Sequence, residues 1–209
     1  MTGIISDNVG RPSGLIKSAG GGGGVWTLIK TLTASADGTL SFVNGASDVV
    51  LDNTYPIYTF KFINIHPATD EANFQFNLSV DTGSNYNVTK TTTYFTGNHA
   101  EDDAQAALTY HTAFDLAQST AFQIIDFEVG NDNDQSGSGY LHLFSPSSTV
   151  FVKHFIARSM RSSGNNFFTD THLAGYGNTT SAVDANQFKY SSGNIDSGKI
   201  KLYGLKDSA

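Results

Sequence analysis

From residue 25 onward, apolar and polar positions alternate over short stretches, and turn-forming residues interrupt them at close intervals. Phe74-Gln75-Phe76-Asn77-Leu78-Ser79-Val80 alternates without a break, which puts one apolar and one polar row on the two faces of a strand. Trp26–Leu32 reads the same way. Asp37-Gly38 then precedes Thr39–Val43, and such a dipeptide between extended stretches predicts a tight hairpin. Ile57–Ile65 is apolar on both faces and is expected inside a sheet. Further strands are predicted at Asn73–Val80, Tyr86–Phe95, Phe122–Val129, Tyr140–Phe144, Val150–Ser159, Gln187–Tyr190 and Lys199–Tyr203. One stretch departs from this pattern. Ala100–Ala107 sets Glu101, Asp102 and Asp103 ahead of alanines, a charge placement that favours a helix N-terminus. No repeat of 20–50 residues and no heptad occurs. The expected fold is all-β: a jelly-roll-like antiparallel β-sandwich with one short helix and an extended N-terminal arm.

The arm is set apart by composition. Gly20 to Gly24 are five consecutive glycines, which have no side chains to pack and read as a hinge. This divides the chain into an attachment arm with its hinge, 1–24, and a sandwich domain, 25–209. Ile4, Ile5, Val9, Leu15 and Ile16 are too few for a core. Two apolar pairs flank a polar turn that carries Arg11, an arrangement expected to anchor on a partner surface. Fully extended, the arm and hinge reach about 80 Å at ~3.3 Å per residue. The opening residues lack a basic stretch followed by an apolar one, and no apolar run approaches the ~20 residues of a membrane span, so neither a secretory signal nor a span is expected.

Composition narrows the chemistry. The 209 residues include no Cys, which removes disulfides and thiolate metal sites. Charged residues make up only 15%, whereas Tyr (9) and Phe (15) are plentiful, as sheets favour. Lys+Arg 12 against Asp+Glu 19 gives a net charge of −7, with the basic residues scattered along the sequence. That balance argues against nucleic acid as a partner.

Candidate sites are few. Asp132, Asp134 and Ser136 alternate ahead of Gly137, like the first half of a calcium loop, but the closing acid is missing because the twelfth position is Leu143. His99 with Glu101, Asp102 and Asp103 offers a cation or acid–base cluster. Among the six His, His142 and His154 fall on successive predicted strands and could meet across a sheet. Tyr55, Tyr58, Tyr86, Tyr94 and Tyr176 are candidates for stacking on sugars. Asn77, Asn87 and Asn178 open glycosylation sequons of the kind that frequent Ser and Thr produce by chance. There is no Gly-x-Ser-x-Gly elbow and no HExxH, so neither an enzyme nor a cofactor is expected.

Several strings carry a resemblance. They are Asp7–Lys17, Phe62-Ile63-Asn64-Ile65-His66-Pro67-Ala68-Thr69, Leu143–Phe155, Asn178-Thr179-Thr180-Ser181-Ala182 and Ser191–Gly204. Through them nearly the whole chain resembles small structural proteins of tailed bacteriophages, especially phages of marine bacteria, with Pro12 at a position where a small polar residue is expected. The resemblance implies a virion component assembled in the host cytoplasm and supplies no catalytic residues. The expected role is non-enzymatic: capsid decoration or cement, or a short appendage, held to a capsid or tail protein by the arm. The alternative is a receptor- or glycan-binding head domain of a tail fibre, with a host surface glycan as partner. A closed homo-oligomer, a trimer, is expected in either case, because the edges of a sandwich need cover.

Overall fold

A computed structural model describes residues 26–206. The arm residues Ile4, Ile5, Val9, Arg11, Leu15 and Ile16 lie outside the described residues. Twelve strands follow one another: β1 (Trp26–Thr33), β2 (Leu40–Val43), β3 (Ile57–Pro67), β4 (Ala72–Ser79), β5 (Lys90–Ala100), β6 (Ala106–Tyr110), β7 (Gln123–Val129), β8 (Gly137–Phe144), β9 (Lys153–Ser162), β10 (Phe167–Gly177), β11 (Ala185–Tyr190) and β12 (Ile195–Leu205). They form an eight-stranded sheet, β1-β12-β3-β8-β9-β10-β5-β6, and a four-stranded sheet, β2-β11-β4-β7. Every pairing is antiparallel.

The sheets face one another across an aromatic core. Phe188 of the small sheet has Phe60 and Phe62 of the large one at 5.3 Å each, with Phe42 and Phe74 beside it at 6.3 and 5.9 Å. Phe76 meets Phe155 edge-on at 5.1 Å. These rings are buried, and their joint loss of water contact is the main force holding the layers together. Gly204 on β12 lies under the Tyr55 ring; a Cβ there would fall 2.3 Å from Tyr55 Cγ, so only glycine fits.

Beyond the edge of the small sheet, the inner face of β5 is covered by segment 111–122, whose Phe114 packs on Tyr94 at 5.5 Å and on Phe127 at 5.0 Å. A buried polar seam joins this extension to the sandwich. Lys90 Nζ donates to Asn77 Oδ1 and to Val88 O, Asn77 Nδ2 donates to Tyr86 O and Thr120 O, and Thr92 Oγ1 donates to Gln123 Oε1.

Three sequence expectations are corrected. Residues 100–107 form no helix: Asp103 sits at φ 60, Asp102 Oδ1 accepts Ala104 N–H, and the chain turns from β5 straight into β6. The Asp37-Gly38 turn does not close a hairpin. Asp37 pairs with Ile195, β1 pairs with β12 and β2 with β11, so the turn carries the chain from one sheet to the other. Two strands, β6 and β10, stand where none was predicted.

Candidate functional site

The outward face of the large sheet carries the most distinctive surface chemistry. Its strands hold Lys30, Lys61, Lys90, Lys153, Arg158, Arg161, Lys199 and Lys201, eight of the chain's 12 basic residues, but only Asp170 and Asp196 of its 19 acids. Basic residues that are scattered along the sequence are thus gathered in space. The acids lie mainly in the connecting loops. Strand alternation then sorts the cations: Lys90, Lys153 and Arg161 point inward and are buried, while Lys61, Arg158, Lys199 and Lys201 point outward.

Strand register aligns one continuous row across the sheet. Thr31, Lys201, Lys61, Tyr140, Arg158, His172, Phe95 and Tyr110 are successive cross-strand partners. At one end Lys61 Nζ stands 5.2 Å from the Tyr203 ring and 5.6 Å from the Trp26 ring, within cation–π range of both. Trp26 is 43% exposed although it packs on His142 at 6.1 Å. Thr59 Oγ1 and His142 Nδ1 lie 2.6 Å apart beneath it, and burial, with Lys61 nearby, holds the imidazole below its ordinary pKa. Towards the other end, Arg158 grips Asp170 with two hydrogen bonds of 2.9 and 2.7 Å, which keeps the carboxyl below its ordinary range. His172 stacks on Phe95 at 4.9 Å with the rings 3° from parallel. Phe95, Tyr140, Ile156, Arg158 and His172 line a shallow depression of about 300 Å³.

A second charged group is interior. Asp126 lies 3.5 Å from Arg161, and both side chains are 2% exposed; Arg161 also donates to Glu128 O at 2.7 Å and lies over the Phe127 ring at 4.2 Å. Burial pushes the Asp126 carboxyl up to about 7, against the pull of the guanidinium. Among the described residues Asp126 Oδ2 and Arg161 Nε have no hydrogen-bond partner, and both atoms are buried. The cluster is a packing element between β7 and the β9–β10 pair.

The sequence candidates fare differently. Asp132 and Gln135 bond to each other within a turn, and among the described residues no three His, Asp or Glu side chains come together as a metal set. On that loop Asp132 is tied to Gln135 and Ser136 N–H donates to Ser162 Oγ, while Asp134 is exposed. His99 meets Asp103 at 3.1 Å on an open surface. His142 and His154 do not pair, because the register sets them opposite Ile156 and Tyr176. Tyr58 and Tyr94 are fully buried and unavailable to sugars, while Tyr55, Tyr86 and Tyr176 are half-buried. Asn77 is also fully buried, so its sequon is structural. The residues that sequence reasoning missed are Trp26, Lys61, Tyr140, Arg158 and Tyr203. Their signal was the outward parity of five strands, which becomes a surface only once strand order is known. Comparison with protein families, curated proteins and solved structures finds no match.

Proposed function

We propose that this protein is a non-enzymatic structural component of a tailed-phage particle, a capsid decoration or cement protein or a short appendage, anchored to a capsid or tail protein by its N-terminal arm. The observation that carries this is strand order. With β5, β6, β9 and β10 set aside as insertions, the sheets read β1-β12-β3-β8 and β2-β11-β4-β7. We read this as the eight-stranded jelly roll of two Greek keys, an architecture frequent among capsid and lectin domains. Acidic loops around a compact sandwich suit a molecule displayed in many copies at high local density. The β6 edge is exposed along nearly its whole length, with Leu108 at 79%, and assembly into a closed homo-oligomer, a trimer, gives such an edge cover.

The decisive experiment compares full-length protein with a chain lacking residues 1–17 during particle assembly, followed by reconstruction of the virion. The truncated chain is expected to fold and to be lost from particles. Its normal incorporation overturns the anchoring role, and absence of full-length protein from purified particles overturns the virion reading. Light scattering across a dilution series tests the trimer; a constant single-chain mass overturns it. The second reading, a receptor- or glycan-binding head domain of a tail fibre, is favoured by the exposed rings and cations of the large sheet.

A further inference from the structure

We infer that the outward face of the large sheet binds an anionic polysaccharide, its carboxylate or sulfate groups on Lys61, Lys201 and Lys199 and its sugar rings on Trp26, Tyr203 and Tyr140. This rests on the second reading above and names the ligand class for it.

The first argument is charge complementarity. A chain of net charge −7 presents four outward cations on this face. Of the acids beside the row, Asp170 is held by Arg158 and Asp115 accepts from Tyr110 at the far end, so among the described residues Lys61, Lys199 and Lys201 share their stretch of sheet only with Asp196. A polyanion meeting this face finds more cations than acids on its strands, with most of the repelling carboxylates out in the loops.

The second argument is the interleaving of charge with aromatic surface. Lys61 lies over both the Trp26 and Tyr203 rings, and Tyr140 follows it in the row before Arg158. Sugar rings offer C–H faces that stack on aromatic side chains, and in an acidic polysaccharide those rings separate the charges. Lys61 and Arg158 lie two strand spacings apart, roughly 10 Å at ~4.8 Å per strand. Duplex nucleic acid, with a charge every ~1.7 Å, calls for a far denser set of cations than this.

Native gels cast with alginate, as the polyuronate probe, or with neutral dextran test the inference on the full-length protein. Retardation is expected in alginate and not in dextran. It should weaken at least tenfold in the Lys61→Glu/Lys201→Glu double variant and in Trp26→Ala, and persist in Lys189→Glu on the small sheet. Thermal melts confirm that each variant is folded, and Lys199→Glu gives a second charge reversal if the double variant is not. Retardation in dextran that Trp26→Ala abolishes overturns the anionic assignment and leaves the receptor reading standing. Binding to neither polymer by protein that is present on particles overturns both of these and leaves the structural role intact. Equal retardation by an oligothymidylate overturns the polysaccharide in favour of nucleic acid. Dissociation of an oligomer by the Lys61→Glu change overturns it in favour of a second copy.

Discussion

Lys90 should make the stability of this protein climb with pH above neutrality. Its side chain is fully buried, and Nζ has two acceptors, Asn77 Oδ1 and Val88 O. Two acceptors match the two N–H groups of a neutral amine and leave one proton of an ammonium unserved. Burial accordingly lowers its pKa from 10.5 to about 7. Between those values the unfolded chain binds a proton that the folded chain has shed, so folding costs most at and below neutrality and the cost fades as pH approaches 10.5. At 1.36 kcal/mol per pH unit the full span is worth about 5 kcal/mol, and the part between pH 7.5 and 9.5 about 2.5 kcal/mol. Lys90→Met keeps the volume and removes the titration. Urea unfolding of both proteins at pH 7.5, 8.5 and 9.5 isolates the effect, because every other group titrates in parallel. The wild type should gain about 2.5 kcal/mol on the variant across this range, equivalent to about 5–10 °C in Tm. Parallel pH profiles would show that Lys90 stays charged inside the fold and refute the reasoning.

Arg161→Met strands the Asp126 carboxyl in the interior and should cost about 3–5 kcal/mol at pH 8, and clearly less at pH 5, where that carboxyl takes up a proton; urea unfolding at the two pH values checks it. Lys153 Nζ donates to Ser148 O, Phe151 O and Thr179 O, so Lys153→Met should cost about 3 kcal/mol and open segment 145–152 to limited proteolysis. Millimolar chelator should move Tm by no more than about 1 °C, since Asp132 and Asp134 lack a closing acid; a large fall reversed by calcium would count against this.

The alternation that exposed β4 in the sequence also misled about its second face. Asn77 and Ser79 look solvent-facing, yet both are fully buried, and Asn77 is an acceptor for Lys90. β10 was illegible for a related reason. Its inward residues include Thr169, Thr171 and Gly175, and Thr171 faces Asp126 instead of an apolar layer, so no hydrophobic period marks the strand. The acidic run 101–103 satisfies the composition of a helix start, but local side-chain bonding and positive φ at Asp103 favour a turn, and a lone helical turn carries a large nucleation cost. Scattered lysines gave no hint of a patch, because the patch is made by strand order and not by sequence proximity.

The placement of β11 and β12 has a consequence for synthesis. β12 lies between β1 and β3, and β11 between β2 and β4, so the last two of the described strands in chain order occupy interior places, one in each sheet. At ~5–20 residues per second, β1 waits on the order of 10–40 s for its partner. Contacts between strands about 170 residues apart make closure slow, and neither sheet can be completed on the growing polypeptide before β11 and β12 appear. A premature stop ahead of residue 185 therefore removes a central strand from each layer instead of trimming an edge. Strands β11 and β12 act as a latch: a chain that has made them can close, and a chain that has not stays open to proteases.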